Sequence, residues 1–241
     1  MTLGTTVTIE AVIFDWGGTL TPWGAVDHRA SWRAFATAAH PGDPDAAAEA
    51  TEALLTADTS LWARARVEHR AFRLADVLER AGVRWHDGGM AAYRAYWDEF
   101  TGTDPDVAPL LRELDGRGLR LGVLSSTAWP GEWHTEILRR DGVLDLFHCT
   151  VWSSSLHWTK PHAEAFRAAM AAVGATDPAR CVYVGDRLYD DVHGASALGM
   201  RTIHVPHSKL PPAEQVPVDA TPDAVVHRLA EVADVLARWQ T

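Results

Sequence analysis

Lysine is nearly absent from this sequence of 241 residues, although arginine is plentiful. Lys160 and Lys209 are the only lysines, so an activity that needs a reactive amine has very few candidate residues. The formal net charge is -10 at pH 7. This negative net charge argues against nucleic acid or an anionic membrane as the main partner. A small anionic substrate remains compatible, because a bound cation can attract it locally.

Cysteine and long apolar runs are scarce as well. Cys149 and Cys181 lie in separate apolar segments without the spacing of a metal site, which predicts buried, reduced thiols. No apolar run approaches the ~18 residues that a membrane helix needs, and residues 1–6 lack the basic and apolar regions of a signal peptide. We therefore expect a soluble, cytoplasmic protein, a monomer or a homodimer, without a nucleic-acid or membrane partner.

The segment from Ile9 to Leu20 (IEAVIFDWGGTL) is the feature around which the chain is organised. Its apolar residues follow one another without alternation, which predicts a strand buried on both faces. Asp15 would then lie at the carboxyl end of that strand, where open α/β sheets bind their ligands. An Asp at this position can act as a nucleophile or a metal ligand, or it can merely end the strand and cap the next turn.

Residues 22–103 are predicted to form a small helical domain inserted after this first strand. The insert is rich in Ala, Arg and Glu, and its apolar residues recur at helical spacing. We predict one helix from Ser31 to the break at residues 40–44, and others over residues 45–57, 60–81 and 87–100. The four helices are expected to make a bundle, leaving residues 1–21 and 104–241 as the core.

The remainder of the chain alternates between helices and short apolar strands. Strands are predicted over residues 119–124, 147–152, 181–184 and 201–205, with helices between them. This alternation is typical of an α/β fold with a parallel, doubly wound sheet. Residues 206–222 are predicted to be a proline-rich surface connection, and residues 223–239 a final amphipathic helix.

Polar side chains come directly after several predicted strands, and parallel strands place them at one edge of the sheet. Asp15, Ser125 and Asp186 follow strands, and Lys160 lies in a loop before a helix. Two carboxylates can share one Mg2+, while a hydroxyl and an ammonium can hold a phosphate. The set predicts a phosphate site in which the metal offsets repulsion between Asp15 and an incoming phosphoryl group.

The ordered motifs resemble those of the haloacid dehalogenase superfamily of hydrolases. They are FDWGGTL at residues 14–20, VLSS at 123–126, KP at 160–161 and VGDRLYDD at 184–191. Each motif alone is weak, but their order and the helical insert cover nearly the whole chain. The resemblance implies a Rossmann-like core and identifies residues 22–103 as a cap that closes over the site.

The resemblance also implies a role for particular residues in a phosphatase acting on a small phosphorylated metabolite. Asp15 would be the nucleophile that forms an aspartyl-phosphate, Ser125 would bind phosphate and Lys160 would steady the nucleophile. Mg2+ would be held by Asp15, the carbonyl oxygen of Gly17, Asp186 and Asp191. The substrate-binding residues would be Ser126, Trp16 and Gly18.

Gly17 departs from the family's pattern. Most phosphatases of the family have a second Asp two residues after the nucleophile, and it protonates the leaving group and then activates water. Three outcomes remain open: another group supplies the acid and base, the substrate is not a phosphate ester, or the protein binds phosphorylated ligands without turnover. Acyl or anomeric phosphates, whose leaving groups need less protonation, would suit the glycine.

Two branches of the family also lack the second Asp. Phosphonate hydrolases need a lysine in the cap, and no lysine lies between Leu20 and Phe100. Dehalogenases need no Mg2+ and usually lack the Gly185-Asp186 pair. A phosphatase with a substitute acid is therefore the favoured interpretation.

Several side chains are candidates for the missing acid or for the substrate pocket. Asp27 and His28 follow the first turn, although a helix cap and a surface histidine would explain them. His157 is close to Lys160 in the sequence but fits an ordinary loop residue. Tyr93, Tyr96 and Trp97 could shape a substrate pocket, although packing in the core of the cap is the simplest interpretation. Some of the arginines at positions 64, 66, 70 and 73 share a helix face and could bind a substrate anion, although a solvent-exposed face is the simplest interpretation.

Overall fold

A computed structural model of the chain describes residues 8–22, 24, 26–208 and 215–239. Residues 1–6, where no signal peptide is predicted, and Lys209 lie outside the described residues. The strands are β1 (Ala11–Phe14), β2 (Arg120–Ser125), β3 (Cys149–Trp152), β4 (Cys181–Gly185), β5 (Arg201–His204) and β6 (Ala224–Val225). The helices are α1 (His28–Ala39), α2 (Pro44–Glu68), α3 (Leu74–Ala81), α4 (Asp87–Trp97), α5 (Val107–Gly116), α6 (Gly131–Arg140), α7 (Ala163–Ala172), α8 (Gly194–Ala197) and α9 (Val232–Trp239).

The strands form one parallel sheet in the order β3-β2-β1-β4-β5-β6. This confirms the predicted doubly wound α/β fold. The chain continues from β1 to β2 on one side and later returns to β4 on the other, so the strand order reverses beside β1. Phe14 is in register with Val123 of β2 and Val184 of β4. Side chains that follow these strands therefore meet at the sheet edge where such folds bind ligands.

The central strand is buried on both faces, as its uninterrupted apolar sequence predicts. Val12 and Phe14 belong to a core shared with α5, α6 and α9. Ala11 and Ile13 belong to a second core shared with α7 and α8. All four side chains are fully buried. Since neither face is open to water, the strand lacks the alternating polar residues of a strand that has one exposed face.

Helices α1 to α4 pack around a hydrophobic cluster of their own, whose largest buried members include Trp32, Phe35 and Leu54. Asp27 and Asp43 cap α1 and α2 by accepting from the backbone N–H groups of Ala30 and Ala46. None of the described helices, including the 25-residue α2, is apolar enough along its length to cross a bilayer.

The predicted helices over residues 45–57 and 60–81 were wrong in their bounds. Residues 44–68 form one helix, because no glycine or internal proline interrupts them. The helix ends at His69, which has a φ of 54°. Tertiary pairing explains this end: Thr159 N–H donates to His69 O at 2.9 Å, and Ala71 N–H donates to His157 O at 3.1 Å. These bonds tie residues 69–71 to the core.

The predicted helices near the carboxyl end also need correction. A short π-helical turn, Leu188–His193, precedes α8. The expected single helix over residues 223–239 is instead a strand, β6, followed by α9. Asp223 Oδ2 accepts from Thr202 N–H at 2.8 Å, and this bond holds the following residues beside β5.

Candidate active site

Lys160 lies buried between two carboxylates. Its Nζ donates to Asp15 Oδ1 at 2.7 Å, to Asp191 Oδ1 at 2.6 Å and to Tyr183 OH at 3.0 Å. Tyr183 in turn donates to Leu124 O at 2.7 Å. With three acceptors for three protons, the ammonium is fully satisfied, and it fixes the position of the Asp15 carboxylate.

The carboxylate of Asp186 follows β4 and faces the one that follows β1. Thr19 Oγ1 lies 3.5 Å from both Asp15 Oδ2 and Asp186 Oδ1. Asp186 Oδ2 is buried and makes no hydrogen bond with any described residue. A Cβ atom on Gly18, whose φ is 97°, would lie 2.3 Å from this oxygen, so glycine is required for both backbone conformation and space.

Three buried carboxylates converge at this edge. One oxygen from each of Asp15, Asp186 and Asp191 lies within 4.8 Å of the other two. Asp191 is already well bonded, because its Oδ2 also accepts from Arg187 N–H at 2.9 Å. The unpartnered oxygen of Asp186 and the hard oxygen donors around it fit a small divalent cation such as Mg2+.

Burial and charge act in opposite directions on these groups. Burial raises the pKa of Asp15, and the neighbouring Lys160 partly offsets it. Burial also raises the pKa of Asp186, and repulsion from Asp15 and Asp191 adds to that effect. For Lys160 burial opposes the charged form, but the two carboxylates prevail and hold its pKa well above the ordinary value. The ammonium therefore stays protonated at neutral pH.

Ser125 ends β2 and Ser126 follows it; both line one cavity with Asp15 but differ in their surroundings. Ser125 is buried at the edge of the sheet, beside Asp15 in the lining of one cavity. Ser126 lines the same cavity and its Oγ accepts from Thr159 Oγ1 at 2.7 Å. The next backbone N–H, of Thr127, donates to Ser153 Oγ at 2.8 Å, so this donor is already occupied.

The cavity above Asp15 has a volume of about 500 Å³ and lies between the core and the helical cluster. Trp16 and Gly17 line it, whereas Gly18 packs against Asp186 and is not part of the lining. The cavity is rich in aromatic side chains: Trp16, Trp62, Tyr93, Trp97, Phe100 and Trp129. Its charged lining residues are Asp15, Asp58, Arg66, Lys160, Arg187 and Asp190. Such a site is suited to a small anionic group attached to an apolar or aromatic portion.

Some of the weaker candidates from the sequence line this cavity, and others do not. His28 lines the cavity, while Asp27 only caps α1. His157 contacts Arg70 at the seam with the helical cluster, where Nε2 and Nη1 are 2.6 Å apart.

The aromatic and arginine groups are similarly divided. Tyr93 and Trp97 line the cavity and are also buried, whereas Tyr96 donates to Asp27 O. Of the four arginines on this part of the insert, Arg66 lines the cavity. Arg64 pairs with Glu68, and Arg73 donates to Ser154 O.

Sequence reasoning missed Thr19, Tyr183 and Asp58. Thr19 stands inside the first motif, so its proximity to Asp15 could have been noticed. Tyr183 is two residues before the end of β4 and appears in the sequence as one more apolar strand residue. Asp58 lies on a long helix, and only the packing of that helix over the core brings its side chain to the cavity.

Comparisons with known proteins show the family to which the chain belongs. The family model described as haloacid dehalogenase-like hydrolase matches residues 9–199. A glyceraldehyde 3-phosphate phosphatase of Methanopyrus kandleri is 33% identical over 160 residues, which is 66% of this chain and 64% of that relative. The alignment thus spans less than two thirds of the relative.

Solved structures share the fold over almost the whole chain. A phosphatase from Thermococcus onnurineus has a TM-score of 0.62 and 19% identity, covering 95% of this chain and 98% of its own. A 2-haloacid dehalogenase from Pseudomonas syringae pv. Tomato also has a TM-score of 0.62, with 25% identity and coverage of 96% and 100%. The likeness to the first shows the fold alone.

Proposed function

Because the chain belongs to the haloacid dehalogenase-like hydrolases, we propose that it is a Mg2+-dependent phosphatase of a small phosphorylated metabolite. The observation that carries the proposal is the position of Asp15, held by Lys160 in the lining of the cavity and beside two further carboxylates. The names of the curated phosphatase relatives support the same reaction class. Residues 22–103 would be the cap that covers the site.

Asp15 is the proposed nucleophile. One of its oxygens attacks phosphorus, the bond to the leaving alcohol breaks, and an aspartyl-phosphate forms; water then hydrolyses it and restores the carboxylate. Lys160 orients Asp15 and, together with Arg187, offsets the negative charge of the phosphoryl group. Ser125 and Ser126 offer hydroxyl groups to its oxygens. Arg66 adds a further positive charge on the side of the proposed cap.

Asp15, Asp186 and Asp191 would hold Mg2+, with the carbonyl oxygen of Gly17 completing the protein's share. The cation would supply Lewis-acid stabilisation of the transferred phosphoryl group. The unpartnered Asp186 Oδ2 supports this assignment. Gly17 gives no proton to the leaving oxygen, so solvent or a substrate group has to supply it, and leaving groups that need little protonation would react fastest.

The test is phosphate release in the presence of Mg2+ from sugar, acyl, nucleotide and amino-alcohol phosphates. We expect the native protein to release phosphate and Asp15→Asn to release none while remaining folded. Asp145→Asn, at an exposed position, is the matched control and should retain activity. Turnover by Asp15→Asn would contradict the nucleophile assignment. Stabilisation of the native protein by a phosphate ester without release would instead indicate a binding protein.

A second candidate is hydrolysis of a non-phosphate substrate through an ester on Asp15. The aromatic cavity and the absence of a side chain at Gly17 favour it, and the Pseudomonas syringae structure that shares the fold is a 2-haloacid dehalogenase. Halide release from a small 2-haloacid, measured with the same variants, separates the two reactions. Halide release without phosphate release would replace the first proposal with the second.

A further inference from the structure

Asp58 places a carboxylate in the aromatic wall of the cavity, opposite the core. It lies on α2 and lines the same cavity as Asp15. Its Oδ2 accepts from Trp32 Nε1 at 3.0 Å. Trp32 is fully buried, so this bond fixes the carboxylate to the interior of the helical cluster. The side chain is thus held in a defined position and faces a space that can contain a ligand.

No arginine or lysine in the described part of the chain forms a salt bridge with Asp58. His28 is a basic side chain near Asp58. The two side chains form no salt bridge, but the charge of His28 lowers the pKa of Asp58. Arg66 is eight residues further along α2, about 12 Å away along the helix axis, and its charge acts on Asp190. Burial raises the pKa of Asp58, and the indole N–H groups of Trp32 and Trp62 oppose this by bonding the ionised form.

Aromatic faces complete the surroundings of this carboxylate. Trp62, Tyr93 and Trp97 line the same cavity, and the pKa of Tyr93 is raised by its own burial and by the nearby charge of Asp58. Asp58 makes no salt bridge with a described residue, so a ligand that brings a positive charge would stabilise its ionised form. Aromatic rings attract cations through their faces, and ammonium groups in particular are bound by such cages.

We infer that Asp58 and the aromatic residues around it form a subsite for an ammonium group on the leaving group of the substrate. This rests on the proposed phosphatase function and narrows its substrate class to phosphate esters of amino alcohols. The phosphate would be held by Lys160, Arg187 and the cation that the carboxylates bind, and the ammonium by Asp58 and the aromatic wall. Opposite charges at the two ends of one cavity would fix the orientation of the substrate.

The experiment compares charged esters with neutral isosteres of the same shape. The probes form two pairs: phosphocholine with 3,3-dimethylbutyl phosphate, and phosphoethanolamine with propyl phosphate. In the second member of each pair a carbon atom replaces the charged nitrogen. We expect kcat/KM of the native protein to be about tenfold or more higher for the charged member of at least one pair. Asp58→Asn should remove most of this preference, so that the ratio of kcat/KM for the charged ester to kcat/KM for its neutral isostere falls toward one.

Asp58→Asn keeps the acceptor for Trp32 and so should fold. Glu49→Gln, which removes an exposed carboxylate from the same helix, is the matched control and should retain the preference. Equal hydrolysis of charged and neutral esters by the native protein would overturn the inference and leave the phosphatase proposal standing.

If the native protein hydrolyses none of these esters and none of the other phosphates tested, the phosphatase proposal fails. Ligand binding, measured as thermal stabilisation, then tests the subsite. Phosphocholine should then stabilise Asp15→Asn against heat more than dimethylbutyl phosphate does, and Asp58→Asn in that background should abolish the difference. Equal stabilisation by both esters, or by neither, would overturn the inference.

Discussion

Lys160 Nζ lies 2.7 Å from Asp15 Oδ1 and donates equally closely to Asp191. All three side chains are almost completely buried. The ammonium is therefore the charge that allows two carboxylates to stand side by side inside the protein, as well as the group that orients the proposed nucleophile.

Replacing Lys160 with Met should damage both catalysis and stability. We expect phosphate release to fall by about a hundredfold or more, and the free energy of unfolding to fall by about 3–5 kcal/mol, because two buried carboxylates lose their partner. Steady-state kinetics and urea unfolding measure the two effects. Arg167→Met removes an exposed cation and should change neither; unchanged turnover in Lys160→Met would refute its role in orienting Asp15.

Introducing the missing acid is expected to accelerate the proposed reaction. Gly17, unlike Gly18, does not have a positive φ, so the backbone tolerates a side chain there. We predict that Gly17→Asp raises kcat for alkyl phosphates by about a hundredfold, the lower range for general acid–base catalysis. Gly17→Asn, of the same shape but without the acid, is the control. Equal gains in both variants would show that proton transfer is not what Gly17 lacks.

The carboxylate cluster should respond to Mg2+ and to removal of one charge. Asp186 Oδ2 has no hydrogen-bond partner among the described residues, and burial together with repulsion from Asp15 and Asp191 opposes its ionised form. We expect Asp186→Asn to be more stable than the native protein without metal, and to lose the stabilisation of about 2.7 kcal/mol that Mg2+ gives the native protein at a hundred times its Kd. Thermal unfolding with EDTA or Mg2+ measures this, and Asp145→Asn should behave like the native protein.

His134 should make the protein less stable in mild acid. Burial between Trp129 and Trp152 lowers its pKa from the ordinary 6.5 to about 3. Below pH 6.5 the unfolded chain therefore binds a proton that the folded protein excludes, so this contribution to stability is complete above pH 6.5 and declines as the pH falls toward 3.

The loss of unfolding free energy between pH 6.5 and pH 5 should be about 1.6 kcal/mol, seen as the difference between native protein and His134→Phe in urea unfolding. Phe keeps the aromatic stack but cannot titrate. His227→Gln, at an exposed position, should retain the native pH dependence. Parallel curves for the native protein and His134→Phe would contradict the assignment.

Alanine substitutions at Gly18 and Gly118 should distinguish the cost of backbone strain from the cost of steric overlap. Both have positive φ values, 97° and 77°, but a Cβ at residue 118 would meet no atom within 4 Å. We expect Gly118→Ala to cost about 1–2 kcal/mol, and Gly18→Ala about 2 kcal/mol more because its Cβ would overlap Asp186. Chemical denaturation gives both values; equal losses would mean that Asp186 moves aside freely.

The amino-acid sequence is sufficient to predict the sheet, its central strand and the four residues that meet at its edge. The reason is local: a strand buried on both faces must be apolar throughout, and the residue that follows it must lie at the rim. Asp15, Ser125 and Asp186 follow from this argument, whereas Lys160 lies in a loop before a helix and was identified from its place among the ordered motifs. Their proposed roles in catalysis and metal binding remain predictions.

Three features depend on tertiary contacts: the end of α2, the addition of residues 224–225 to the sheet, and the position of Asp58 in the same cavity lining as Asp15. Each depends on contacts between residues far apart in the chain, such as those of His69 with Thr159 and of Asp223 with Thr202. Helical periodicity shows that Asp58 belongs to a helix but not what that helix covers. The proposed substrate subsite therefore depends on packing, whereas the polar residues at the edge of the sheet follow from the order of strands in the sequence.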